Sequence, residues 1–239
     1  MFQIENLELN KLISNISTPI GQILEIALSG KDISAEQAFE LLESRGLEYQ
    51  ATLMVADELR KQTVGDIVTY VVNRNINFTN VCVKRCGFCA FSRDHREEQG
   101  YFLPTEMIVE KAKQAYKYGA TEVCVQAGLP PKMEGDLYVK ICEAIKKELP
   151  DIHVHGFSPE EVLYGSVRSK SSIESYLNDL KNAGVGSLPG TSAEILDQEI
   201  RDKISLGRIT KDQWIEVIKT AHKLKIPTTS TIMFGHVEN

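Results

Sequence analysis

Ile20, Ile23, Leu24, Ala27 and Leu28 recur at helical spacing behind Thr18-Pro19, and this predicts an amphipathic helix. Ser34 followed by Gln37 reads as a capping box for a helix through Leu42, with Gly46 expected to end it. Tyr49 to Arg60 gives a further helix, so residues 1–65 form a helical lead-in and 66–239 a separate core. In the core the pattern changes. Ile67 to Val72 and Ile76 to Phe78 are β-branched or apolar runs and read as strands. Helices follow at Pro104–Tyr118, Leu137–Glu148, Ile173–Asn182 and Asp212–Leu224. Strands fall between or after them at Glu122–Gln126, Ile152–Phe157, Val185–Leu188 and Thr228–Phe234.

Strands alternating with helices predict an α/β fold with a parallel sheet or barrel. Glycine, proline and polar residues follow several strands, as in Gln126-Ala127-Gly128 and Pro189-Gly190-Thr191. In a parallel barrel those strand ends form the active face. A complete eight-fold barrel takes on the order of 250 residues. From Asn75 onward about 165 remain, enough for about five strand–helix units. The expectation is a (βα) TIM-type barrel that is incomplete at its C-terminus.

Composition changes the picture only by exclusion. The 239 residues carry a net charge of −6 without a basic run, so nucleic-acid binding has no electrostatic footprint. No apolar run approaches the roughly 20 residues of a membrane span. Met1 to Asn10 is polar and acidic, unlike a signal peptide. Clustered cysteines without an export signal suggest a metal in a reducing compartment, and the expected location is cytoplasmic.

The cluster is Cys82-Val83-Lys84-Arg85-Cys86-Gly87-Phe88-Cys89. Three thiolates on one loop can hold three irons of a 4Fe-4S cubane and leave the fourth iron open. Gly87 permits close backbone approach. Zinc is the rival, because His95 would complete a Cys3His set for a zinc-binding interaction domain. Cys124, in an apolar strand, and Cys142, on the apolar side of a helix, read as core residues. His153 and His155 share one side of a strand, and His236 ends the last one. All three are candidates for substrate polar groups. Tyr70, Tyr101 and Trp214 read as packing or surface residues.

Cys-x3-Cys-x2-Cys with an aromatic before the third cysteine resembles the radical S-adenosylmethionine (SAM) superfamily. The segments Asn75–Cys82, Cys89–Arg93, Gln126–Leu129, His153–Glu161 and Pro189–Leu196 look like the tyrosine-cleaving subunit of FO synthase. Two positions depart from that pattern. Ala127 stands where relatives usually have glycine, and Gly156 where a larger residue is common. The resemblance implies a 4Fe-4S cluster on Cys82, Cys86 and Cys89, with SAM on the open iron. It implies SAM contacts from Phe88, Gln126, Gly128 and Glu194. The Gln126–Gly128 turn also fits a plain strand–helix connection, and Glu194 a helix cap. No residue is singled out as catalytic. The implied reaction is a transfer. A 5′-deoxyadenosyl radical takes hydrogen from the amino group of L-tyrosine. The 4-hydroxybenzyl fragment then joins 5-amino-6-(D-ribitylamino)uracil in deazaflavin coenzyme biosynthesis. An electron donor and a second radical SAM subunit of FO synthase are the implied partners. A radical SAM enzyme of the futalosine route to menaquinone shares much of the pattern.

Overall fold

A computed structural model describes residues 9–94, 96 and 98–238. The chain divides into two compact units, Met1–Tyr70 and Val71–Asn239.

The first unit is helical. Helix α1 spans Thr18–Leu28, with Pro19 in its first turn, where a missing N–H costs nothing. Helix α2 spans Ala35–Glu43. Its capping box forms as expected: Gln37 N–H donates to Ser34 Oγ at 3.2 Å, and Ser34 N–H to Gln37 Oε1 at 2.8 Å. Helix α3 spans Gly46–Val64. Gly46 therefore opens a helix and does not close one. Ser44 ends α2 instead, its hydroxyl donating to the Leu41 carbonyl at 2.6 Å. Leu9, Ile13, Ile20, Ile23, Leu24, Ala51 and Val55 bury together as this unit's core.

The second unit is built on a parallel sheet of order β1-β2-β3-β4. Its strands are β1 (Asn73–Ile76), β2 (Glu122–Val125), β3 (His153–His155) and β4 (Val185–Ser187). Helices α4 (Thr105–Lys117) and α5 (Leu137–Glu148) come after β1 and β2. Helices α6 (Pro159–Ser169) and α7 (Ile173–Asn182) lie between β3 and β4, and α8 (Gln198–Ile204) and α9 (Lys211–Lys223) after β4. The chain pattern does not predict α6 or α8. Side chains alternate across each strand. Ile76, Val123, Val125, Val154 and Val185 are buried in one core with Ile108, Ile141, Ile145, Leu177 and Val217 of the helices. The alternate positions Asn73, Asn75, Glu122, Cys124, His153 and His155 share the opposite, polar face.

Three predicted strands are corrected: the one expected at Ile76–Phe78 runs earlier, as Asn73–Ile76. Residues 67–72 form no strand: Ile67 and Val68 are 81% and 91% exposed, and β-branching alone does not bury a segment. Thr228–Phe234 is reduced to one parallel bridge, Leu188 with Thr228. Its backbone still tracks the sheet, since Thr229 N–H donates to the Leu188 carbonyl at 3.1 Å and Thr231 N–H to that of Gly190 at 3.2 Å. Cys142 is core as expected, and Trp214 is packed with its indole N–H on the Thr191 carbonyl at 3.2 Å.

Candidate functional site

The cysteine loop leaves the C-terminal end of β1 and is pinned from three sides. Cys82 N–H donates to the Arg93 carbonyl at 3.1 Å and Val83 N–H to that of Leu129 at 2.9 Å. Gly87 N–H donates to the Ile204 carbonyl at 2.7 Å, and Lys84 Nζ donates to that of Gly207. The loop is thus held by the turn after β2 and by the connection after α8. All three thiols are free. They line a cleft of about 200 Å³ with Phe88, Gln126, Gly128, Ser158, Glu160, Glu161, Ser192 and Arg208.

The Gln126-Ala127-Gly128 turn reaches the loop because residue 128 has no side chain. A Cβ at Gly128 would strike the Val81 carbonyl. Gly128 N–H donates to the Thr79 carbonyl at 2.9 Å. The Ala127 N–H donates to Glu161 Oε1 at 2.9 Å. Glu161 also forms a capping box with Ser158, so one carboxylate starts α6 and fixes the turn. Complete burial pushes the Glu161 carboxyl up to about 7, against these hydrogen bonds, which favour its charge.

Opposite the turn stands Arg208, which sequence reasoning missed because a lone loop arginine has no spacing signal. Its guanidinium lies 5.6 Å from the Phe88 ring centroid. Nη2 donates to Ser192 Oγ at 2.7 Å, and Nε is 3.7 Å from Glu160. Nη1 pairs with Glu194 Oε2 at 3.2 Å. Burial opposes the Arg208 charge, and Glu194, Cys86 and Glu160 more than offset it. Burial raises the Cys86 thiol, and Arg208 pulls it back toward thiolate. Lys84 Nζ is 3.5 Å from Glu160, whose other oxygen accepts from Ile209 N–H at 2.6 Å.

Of the expected site residues, Cys82, Cys86, Cys89, Phe88, Gln126 and Gly128 meet at this cleft. Glu194 joins them through Arg208. His153 and His155 do not line it; both rings turn onto Ser187, on the polar face of the sheet. His236 folds back locally on Glu238 at 3.0 Å. His95 lies outside the described residues.

The radical SAM superfamily profile matches residues 76–239. This chain belongs to the radical SAM superfamily. Membership implies an iron–sulfur cluster and SAM. The free soft-donor set on one loop, beside a buried guanidinium, fits both. The radical SAM chain is 45% identical over 224 residues to the 5-amino-6-(D-ribitylamino)uracil–L-tyrosine 4-hydroxyphenyl transferase of Methanothermobacter thermautotrophicus, covering 94% of this chain and 61% of that protein. The protein of the same name from Methanocaldococcus jannaschii is 47% identical over 211 residues, covering 87% and 58%. An FO synthase of Nocardia farcinica is 45% identical over 207 residues, covering 87% of this chain and 24% of that protein. The radical SAM chain thus spans about three fifths of the separate transferases it matches. In fold it is similar to methylornithine synthase, at TM-score 0.64 and 19% identity, over 88% of this chain and 58% of that one. The FeFe-hydrogenase maturase HydG of Carboxydothermus hydrogenoformans gives TM-score 0.65 at 19% identity, over 98% and 52%. Among the described residues no helix is long and apolar enough to cross a membrane.

Proposed function

We propose that this chain is part of a transferase that cleaves L-tyrosine and attaches its 4-hydroxybenzyl group to 5-amino-6-(D-ribitylamino)uracil. The observation that carries the reading is the cleft itself, with three free thiols facing a glycine turn and a buried arginine. The names of the transferases that share 45–47% of its residues supply the substrates. Cys82, Cys86 and Cys89 hold the cluster. When bound, a 4Fe-4S cluster supplies the electron that splits the sulfonium of SAM.

The remaining work belongs to this chain's own residues. The buried Arg208 guanidinium sets a fixed positive charge at the cleft for the SAM carboxylate. Glu194 holds the guanidinium, and the Gln126–Gly128 turn presents backbone along SAM. Phe88 lines one side of the cleft against the Arg208 guanidinium. Cytoplasmic location, an outside electron donor and a second radical SAM subunit accompany this reading.

The test is anaerobic reconstitution with iron and sulfide, followed by an assay for 5′-deoxyadenosine with SAM, dithionite, tyrosine and the diaminouracil. Tyrosine-dependent 5′-deoxyadenosine is the expected result, with Cys86→Ala losing cluster absorbance and SAM cleavage together. Zinc retained without acid-labile sulfide would overturn the cluster assignment. Turnover with futalosine-route precursors in place of tyrosine would overturn the substrate assignment.

A further inference from the structure

We propose that Glu122, His153 and His155 form a binding site for a divalent transition-metal ion of the zinc class on the polar face of the sheet. The site is separate from the cysteine cleft, whose lining includes none of the three. One carboxylate oxygen and one nitrogen of each ring lie within 4.8 Å of one another. His153 Nε2 and His155 Nδ1 each sit 2.7 Å from Ser187 Oγ. Glu122 Oε2 is 3.8 Å from His153 Nε2. Four polar atoms therefore converge on one small volume.

The backbone builds this convergence. Glu122 pairs with His153 across β2 and β3, and His155 lies two residues on, over the same face. The register between β3 and β4 shifts after Val154, so Ser187 stands opposite His155 and Gly186 is the extra residue. A Cβ at Gly186 would strike the His153 ring, so only glycine lets that ring lie across β4. Asn73 Nδ2 donates to Glu122 Oε1 at 3.2 Å, which orients the carboxylate and leaves Oε2 for the cluster.

Two imidazoles and a carboxylate are the donor set of an open zinc-type site, with a coordination position left for water or substrate. Without a cation the rings share Ser187 Oγ, one accepting its proton and the other donating N–H to it; a cation would take both nitrogens as acceptors.

The experiment is an anaerobic Co²⁺ titration of the reconstituted chain and of a variant with Cys82, Cys86 and Cys89 all changed to serine. Expected is one equivalent of Co²⁺ in both, with ligand-field absorption, no thiolate charge-transfer band, and displacement by Zn²⁺. His155→Ala and Glu122→Gln should each weaken binding by about tenfold or more, and the surface change Asn73→Ala by about tenfold. A serine variant with unchanged circular dichroism that takes up no Co²⁺ would overturn the proposal. So would binding that His155→Ala and Glu122→Gln leave unaltered. Because the serine variant carries no cluster, these outcomes are independent of the radical chemistry.

Discussion

Arg208 is a buried cation lining the cleft, and Glu161 is a fully buried acid lining the same cleft. Each sets an expectation. Replacing Arg208 with alanine removes a charge-assisted hydrogen bond, so SAM affinity should fall by about ten- to a hundredfold. Calorimetric titration of the reconstituted chain measures this. Unchanged affinity would take the carboxylate contact away from Arg208. The Glu161 carboxyl is raised from 4.5 to about 7 by burial. A raised acid stabilises fully below its unfolded value, and that contribution is lost as pH rises through the folded one. Against Glu161→Gln, the wild-type chain should therefore lose roughly 3 kcal/mol between about pH 4 and pH 8. Urea unfolding at each pH reads the difference, and parallel curves would refute the shift.

At the scale of elements, the connection after α8 and the turn after β2 grip the cysteine loop from opposite sides. Gly128→Ala would push Val81 and with it Cys82. The expected outcome is a reconstituted chain that retains its helix content but holds iron and sulfide less tightly, seen as faster loss to a chelator. Helices α5 and α7 were legible to the residue, because their apolar stripes are clean and Pro150 and Gly184 punctuate their ends. Helix α6 was not. Its stripe is interrupted by Glu160 and Glu161, which are buried for their hydrogen bonds to Ala127 and Ile209. A hydrophobic pattern cannot signal acids that are inside for the sake of a neighbouring loop. The loop cysteines were legible because their chemistry is local in sequence. Arg208 and Ser192 meet Cys86 and Phe88 only through tertiary folding.

For the molecule as a whole, alternation of strands and helices was enough to place a parallel α/β sheet with its active loops at the strand ends. The same alternation misassigned residues 67–72, whose apolar side chains face solvent among the described residues. Among the described residues the sheet order ends at two edges. One is β1, and the other is the segment after Pro227, which bonds to the β4 side through Leu188 and Gly190. On that segment Ile232 and Phe234 are 82% and 83% exposed. Open backbone beside large apolar side chains is a template for strand addition from another molecule. The isolated chain should therefore self-associate as its concentration rises, with sedimentation shifting to larger species. Ile232→Lys should hold it monomeric, because a charge on an exposed edge blunts intermolecular pairing.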